Sequence, residues 1–283
     1  MAVFFNQATL SYDDRVINSN IVTGEIVDVL SVTKTALDDV YSINGDVTYI
    51  VNIVNTGAVP FTSLTATDDL GAFTIASSTV YPLTYKAGSL AYFINGVEQA
   101  APAVTATQPL TLGGISVPAG GNATIIYQAT TNGFAPPVTD SQITNAVTVS
   151  GAQLTTPVTA TETVTAASAA NLAISKSLSP STVADNSPLT YTIVIQNFGN
   201  EAVSATDNAV VTDTIDPVLS DVLVTYNGTV WTEGVNYSYD TNGNFATLPG
   251  QITVPAAQYT QDPATGEWTT DPGFATLVIT GTV

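Results

Sequence analysis

Cysteine and histidine are absent from the 283-residue sequence, and only four residues carry a positive charge. Without cysteine there is neither a disulfide framework nor a thiolate nucleophile. Without histidine the usual general base and the commonest metal-binding side chain are also missing. These absences exclude most hydrolase and metalloenzyme sites. We therefore expect a protein that is not an enzyme and that holds no cofactor and no metal ion.

The charge balance is strongly acidic, with 23 Asp and Glu residues against Arg15, Lys34, Lys86 and Lys176. A chain of this charge is repelled by nucleic acid and by anionic membranes. No segment approaches the roughly 20 apolar residues of a membrane span, and the N-terminus lacks the pattern of a signal peptide. We expect neither nucleic-acid binding nor membrane insertion, and the chain is either a mature form or leaves the cell by another route, such as lysis.

Strand-forming residues dominate the composition, while 20 Gly and 15 Pro are scattered along the chain. No long stretch repeats apolar residues at helical spacing, so the sequence predicts an all-β protein. The length allows two domains of about 140 residues, each large enough to bury a core.

Segments of the first half recur in the second half, which predicts two related domains. Residues 45–57 (GDVTYIVNIVNTG) align with residues 187–199 (SPLTYTIVIQNFG), so that Tyr49 matches Tyr191 and Asn55 matches Asn197. The other matched segments are 64–70 with 209–215, 115–118 with 252–255, and 123–129 with 275–281.

The closing strand of the first copy, residues 143–150 (ITNAVTVS), has no match at the end of the second copy. Its pattern Asn-x-(Ala/Val)-Thr-(Leu/Val)-Ser instead recurs at the front of the chain, in residues 4–11 (FFNQATLS). Asn6 precedes Lys34 by 28 residues and Asn145 precedes Lys176 by 31, so the two intervals are similar. We expect a second domain that lacks its final strand, with that strand displaced to the N-terminus. The alternative is an ordinary disordered tail.

These matches divide the chain into four parts. Residues 1–28 are expected to be an N-terminal donor strand with a linker, and residues 29–151 a complete immunoglobulin-like β-sandwich. Residues 152–170 are expected to be a linker, and residues 171–283 a second such domain without its last strand.

Three polar positions in each copy fall among apolar residues on the inward face of a strand, because strand side chains alternate between faces. These positions are Lys34, Asp68 and Asn145 in the first copy and Lys176, Asp213 and Asn6 in the second. One interpretation is a buried ion pair with an asparagine that completes its hydrogen bonds. The other is an isopeptide bond between lysine and asparagine. Burial favours a neutral, nucleophilic amine and a proton-donating carboxylic acid, which are the groups that this reaction needs.

The landmarks of both copies resemble the conserved repeat domain of bacterial surface proteins known as domain of unknown function eleven. They are the opening strands at Lys34 and Lys176, the Tyr and Asn-x-Gly of the next strands, the pairs Thr67-Asp68 and Thr212-Asp213, and the closing Thr144-Asn145-Ala146. The resemblance implies an immunoglobulin-like sandwich used in tandem arrays on cell surfaces. The lysine, asparagine and acidic side chains are also similar to those of Cna B-type pilin domains, which implies Lys34–Asn145 and Lys176–Asn6 bonds promoted by Asp68 and Asp213.

A sandwich without one strand exposes an edge that recruits an extended segment. We expect the donor strand to complete a neighbouring copy of the chain, with Phe4, Phe5, Ala8 and Leu10 as its anchoring residues. Such a head-to-tail contact does not close, so it extends into a fibre. The sequence therefore predicts a self-assembling fibre subunit on a bacterial cell or spore surface. A chain in which the donor strand folds back on its own second domain stays possible on length alone.

Two other functions compete with the fibre. One is a monomeric adhesin or sugar-binding module, for which Trp231, Tyr237, Tyr239, Tyr259 and Trp268 would form an aromatic platform. The other is a serine hydrolase with a lysine base, but the Gly-x-Ser-x-Gly motif of such enzymes does not occur.

Overall fold

The computed structural model describes residues 2–26 and 29–283, and it is built almost entirely of β-strands. The predicted all-β class with immunoglobulin-like sandwiches is confirmed. A short 3-10 turn, Ala205–Asp207, is the one helical element of the described residues. No helix in that part of the chain has the length and apolar character needed to cross a membrane.

The first strands form a hairpin that pairs only with itself among the described residues. They are β1 (Ala2–Asn6), β2 (Thr9–Tyr12), β3 (Arg15–Asn18) and β4 (Val22–Ile26). β1 pairs with β4 and β2 with β3, around a turn at Asp13 and Asp14 whose φ angles are 44° and 55°. Two consecutive left-handed residues are the geometry of the tight type I′ hairpin turn. The expected donor strand therefore has a second arm where a linker was expected, and we call residues 2–26 the N-terminal hairpin.

Domain one is a sandwich of two sheets. Its strands are β5 (Leu30–Ala36), β6 (Val40–Tyr41), β7 (Asp46–Asn55), β8 (Phe61–Asp68), β9 (Phe73–Ile75), β10 (Ser78–Val80), β11 (Leu83–Tyr85), β12 (Ala91–Ile94), β13 (Val97–Gln99), β14 (Ala103–Thr107), β15 (Leu110–Val117), β16 (Asn122–Thr131), β17 (Gln142–Ser150) and β18 (Val158–Ala166). One sheet has the order β13-β12-β16-β7-β5, and the other has the order β14-β15-β8-β17-β18-β6. Alternate residues of β7, β16 and β17 are buried between the sheets.

The predicted linker over residues 152–170 contains β18, which is a strand of domain one. β18 pairs with β17 along its whole length, and its Val164 and Ala166 are buried in the core. The Thr/Val/Ala alternation of this segment suits a strand with one face on the core. Domain one therefore extends past residue 151, to Ala166 at least.

Domain two repeats five strands of one of these sheets, and its described strands include no counterpart of β11, which pairs with β16 in domain one. Its strands are β19 (Leu172–Ser179), β20 (Pro188–Asn197), β21 (Thr212–Thr214), β22 (Ser220–Tyr226), β23 (Thr229–Val230), β24 (Tyr237–Tyr239), β25 (Asn244–Thr247), β26 (Gln258–Gln261), β27 (Trp268–Asp271) and β28 (Gly273–Thr282). The sheet β19-β20-β28-β22-β23 corresponds to β5-β7-β16-β12-β13 of domain one. The opposite layer is a smaller sheet of order β21-β25-β24, and β26 and β27 form a separate hairpin.

Matching hydrogen bonds show that the two domains are copies of one fold. The side-chain nitrogen of Asn55 donates to the carbonyl oxygen of Pro118 at 2.9 Å, and Asn197 donates to Pro255 at 3.1 Å. The Tyr92 hydroxyl exchanges two hydrogen bonds with the backbone of Ser116, and Tyr226 does the same with Thr253. These bonds fix the register in which Lys34 and Lys176, and Asp68 and Asp213, are equivalent.

The described strands of domain two include no counterpart of β17 and β18, which follow β8 in its sheet in domain one. In domain one β8 pairs with β17, which in turn pairs with β18. In domain two the counterpart of β8 is β21, which pairs with β25 on one side and with no strand of the described chain on the other. The sequence predicted the loss of a single strand. We call the open edge of β21 together with the facing side of β19 the acceptor groove.

Candidate functional site

Lys34 and Asp68 face each other across the interior of domain one. Lys34 lies on β5 opposite Val51, and Asp68 lies on β8 between Leu110 and Val147, so strand alternation directs both side chains into the core. The Lys34 Nζ atom lies 2.5 Å from Asp68 Oδ2, and both side chains are almost completely buried. Two charges removed from water in this way are costly unless they are closely paired.

Asn145 joins this pair through a tyrosine that the sequence analysis missed. Asn145 is fully buried on β17, and its Nδ2 donates to the hydroxyl of Tyr127 over 3.2 Å. The Tyr127 hydroxyl in turn donates to Asp68 Oδ2 over 2.6 Å. The Oδ1 atom of Asn145 accepts no hydrogen bond from any described residue. Lys34, Asp68, Asn145 and Tyr127 thus form one buried polar cluster, which we call the core cluster.

Two tyrosine rings enclose the lysine of the core cluster. Nζ of Lys34 lies 4.7 Å from the ring centroid of Tyr49 and 5.9 Å from that of Tyr127, and the two rings stack on each other. Burial lowers the pKa of Lys34 below its ordinary value, and the charge of Asp68 opposes this shift only in part. Burial also raises the pKa of the Tyr127 hydroxyl well above its ordinary value, so that this group keeps its proton.

The arrangement places a buried amine, a carboxyl group and a carboxamide within one hydrogen-bonded cluster that water does not reach. A buried amine with a lowered pKa is a better nucleophile than an exposed lysine, because a larger fraction of it is uncharged. A neighbouring carboxyl group and a phenol can move protons to and from the reacting atoms. These are the groups required to join Lys34 to Asn145 with the loss of ammonia.

Domain two holds the corresponding lysine and aspartate in a much more open setting. Lys176 forms an ion pair with Asp213 and lies 4.4 Å from the ring centroid of Tyr191, the counterpart of Tyr49. The Lys176 side chain is 38% exposed, against 0% for Lys34. Ile279 stands where domain one has Tyr127, because it pairs with Tyr191 as Tyr127 pairs with Tyr49. This site therefore lacks the phenol.

Asn6 is not part of the site of its own chain, because it lies on β1 opposite Val22 in the N-terminal hairpin. Phe4, Asn6, Ala8 and Leu10 follow at intervals of two residues and share one face, whereas Phe5 lies on the other. Phe4 is 51% exposed, Phe5 70% and Leu10 61%. Gly24, the cross-strand partner of Phe4, has no side chain and leaves room for the Phe4 ring, which lies across it.

The aromatic residues of domain two fall into separate groups, and Tyr259 and Trp268 line one pocket beside domain one. Trp231 stacks on Tyr226, and Tyr237 stacks on Phe245 in the core. The backbone nitrogen of Trp268, on the β26–β27 hairpin, donates to the carbonyl oxygen of Gly133 in domain one. The remaining two also bond to backbone groups, Tyr239 to Leu219 and Tyr259 to Phe198. These side chains serve packing within domain two and its contact with domain one.

Comparisons with known proteins do not assign the chain to a family. No protein-family model matches the chain, and no curated protein matches it. The resemblance to the surface-protein repeat domain therefore stays a prediction.

Solved structures that resemble the chain do so at low sequence identity and low structural overlap. The major pilin subunit BcpA of Bacillus cereus is 13% identical, with 96% of this chain and 73% of that chain covered at a TM-score of 0.37. The pilus backbone protein RrgB of Streptococcus pneumoniae is 12% identical, with 86% and 56% covered at a TM-score of 0.33. The collagen-binding subdomain of the Enterococcus faecalis surface protein ACE is 10% identical, with 50% and 99% covered at a TM-score of 0.31.

Proposed function

We propose that this chain is the structural subunit of an extracellular fibre on a bacterial cell or spore surface. Copies assemble head to tail, the N-terminal hairpin of one completing domain two of the next. The observation that carries the proposal is the coexistence of an exposed apolar hairpin with an open acceptor groove in one chain. Large exposed apolar surfaces mark interaction sites. A donor surface and a different acceptor surface on one molecule form a head-to-tail contact that gives an open-ended polymer.

The core cluster of domain one is proposed to form an internal isopeptide bond. The uncharged Nζ of Lys34 attacks Cγ of Asn145, with Asp68 polarising the carboxamide oxygen and relaying protons. The surplus proton of the attacking nitrogen passes through Asp68 and Tyr127 to Nδ2. At the start Nδ2 donates to the Tyr127 hydroxyl, which donates to Asp68, so the hydroxyl turns toward Nδ2 once the attack has freed the lone pair of this nitrogen. The bond from Cγ to Nδ2 breaks and ammonia leaves. One new amide and one ammonia are formed, and Asp68 and Tyr127 return to their starting protonation states.

The same reaction is proposed at the joint between subunits, with Asn6 of one copy presented to Lys176 and Asp213 of its neighbour. Seating the hairpin would bury the Lys176 side chain, which is 38% exposed in the free domain, much as Lys34 is buried in domain one. Ile279 offers no proton path in place of Tyr127. The joint therefore reacts more slowly than the core cluster. Each bond forms once and becomes part of the fold, so the protein is not a turnover enzyme.

The test is electron microscopy and denaturing electrophoresis of the purified chain, with Lys176→Ala as the variant. Lys86→Ala is the matched control, because Lys86 forms an exposed ion pair with Asp46 at the surface of domain one. Unsubstituted chain and control should give filaments and ladders that survive boiling, and Lys176→Ala should give filaments without ladders. Deletion of residues 3–12 should abolish the filaments. A deletion variant that still forms filaments would contradict the proposed assembly.

A further inference from the structure

We infer that the joint is completed by both arms of the N-terminal hairpin, so that each subunit gives its neighbour two strands. β1 and β2 would extend the sheet at the open edge of β21, and β3 and β4 would cover the bare side of β19. The occupant of the acceptor groove is thus residues 2–26 of a second copy of this chain. The inference rests on the proposed function and specifies the partner surface in it.

Domain one provides the template, because its own hairpin of β17 and β18 occupies the equivalent place. β17 pairs with β8 from Val147 opposite Asp68 to Ser150 opposite Thr65. Transferred through the equivalence of Asn145 with Asn6 and of Asp68 with Asp213, this register puts Ala8 opposite Asp213. It also puts Thr9 opposite Thr212, in the next copy of the chain.

The second arm of the hairpin, β3 and β4, is required because the first arm, β1 and β2, does not reach β19. In domain one it is β18 that packs along β5, whereas β17 touches β5 at only a few positions. The bare side of β19 carries Leu172, Ile174 and Leu178, which are 46%, 63% and 48% exposed. Leu30, the counterpart of Leu172, is 5% exposed in domain one, where β18 packs along β5. A lone donor strand would leave this apolar surface in water.

The hairpin has the apolar face that this surface needs. Cross-strand partners share a face, so Leu10 lies beside Ile17, and Asn6 lies beside Val22. The domain-one residues that correspond to these hairpin residues are buried or half-buried. For example, Val149 and Val158 of domain one pair as Leu10 and Ile17 do. In the free hairpin, Ile17 is 51% exposed and Val22 is 54% exposed. The second arm therefore has side chains to bury against β19, which a linker would not provide.

The first experiment compares aspartate substitutions on the two faces of the second arm, in the full chain carrying Asn6→Ala so that no Lys176–Asn6 bond makes assembly irreversible. Val22→Asp lies on the apolar face, and Thr23→Asp is its matched control on the opposite face of β4. We expect Val22→Asp to raise the critical concentration for filaments at least about tenfold, which corresponds to about 1.4 kcal/mol. The control should change it little. If Val22→Asp and Thr23→Asp change the critical concentration equally while Leu10→Asp blocks filaments, the two-strand inference is overturned. The proposed fibre function would then still stand.

The second experiment reads the covered surface directly and does not depend on the folding of a hairpin variant. The chain has no cysteine, so Ile174→Cys introduces a single thiol on the bare side of β19, and Ser175→Cys places one on the outer side. Thiol labelling should be fast at both positions in monomers. In filaments we expect it to be lost at residue 174 and kept at residue 175. Labelling at residue 174 in filaments would show that β19 stays bare and overturn the inference. A complete absence of filaments would instead overturn the proposed function.

Discussion

Replacing Leu10 by alanine is a stringent test of the assembled joint, because the expected exposure of this side chain differs strongly between the free hairpin and the joint. Leu10 is 61% exposed in the free hairpin, whereas its counterpart Val149 in domain one is 0% exposed. The side chain therefore gains most of its burial only when the hairpin enters a neighbouring copy. Leu10→Ala should weaken the joint while leaving the free subunit almost unchanged.

The size of the effect follows from this change in burial. Buried leucine-to-alanine changes cost about 2–5 kcal/mol, and the part gained only at the joint places this one at about 2–3 kcal/mol. At 1.4 kcal/mol per tenfold change, the dissociation constant of the joint rises about 30- to 150-fold. Val16→Ala is the matched control, because Val16 is 66% exposed and lies on the opposite face. A surface change of this kind stays within about 0.5 kcal/mol, or about twofold.

The assay is the critical concentration for filament formation, measured by sedimentation of the full chain. Both variants are made in an Asn6→Ala background so that no Lys176–Asn6 bond makes assembly irreversible. Far-ultraviolet circular dichroism of the monomers checks that neither substitution unfolds the subunit. Equal critical concentrations for Leu10→Ala and Val16→Ala would refute the assignment of the donor face.

Further predictions concern the core cluster of domain one. The unsubstituted chain should have an intact mass one ammonia below the mass of its sequence, whereas Lys34→Met should have the full mass of its sequence. Lys34→Met should also lower the free energy of unfolding by about 3–5 kcal/mol, since it leaves Asp68 buried without its partner. If both proteins have the full mass of their sequences, there is no internal bond. Tyr127→Phe keeps the ring packing but removes the hydroxyl between Asp68 and Asn145, and mass spectrometry of freshly folded protein should show slower loss of ammonia; an unchanged rate would exclude a proton path through Tyr127. In Asn145→Ala, Lys34 cannot form the isopeptide bond, and between its lowered pKa and 10.5 the unfolded chain binds more protons than the folded chain. The free energy of unfolding should therefore rise with pH in that window, measured below pH 10 to avoid tyrosine ionisation. The same slope after adding Lys34→Met would contradict the assignment of this slope to Lys34.

Much of the site could be placed from the sequence because strand alternation is a strict rule. Counting in steps of two put Lys34, Asp68 and Asn145 on inward faces, and the structure brings all three into the core cluster. Tyr127 follows the same rule, two residues after buried Ile125. It was missed because an inward tyrosine is ordinary core packing, and only its hydroxyl contacts distinguish it.

The paired strands were harder to predict because their signals are weaker. The N-terminal hairpin turns at Asp13 and Asp14, which lack the glycine that usually marks a type I′ turn. β18 consists mainly of Thr and Ala, whose small and partly polar side chains give little contrast between its two faces. Its partners in space, β17 and β5, supply the burial that turns this segment into a strand.

The most direct measurement of the central claim is a disulfide between Thr9→Cys and Thr212→Cys in the Asn6→Ala chain. The transferred register puts these residues directly opposite each other in neighbouring copies, within the span of a disulfide. Ser11→Cys with Thr212→Cys is the control, since two residues along a strand add about 7 Å. We predict that oxidised filaments of the first pair give a ladder of multimers that a reducing agent dissolves, and that the control pair gives none. A disulfide confined to single chains, or ladders of equal strength from both pairs, would contradict the account.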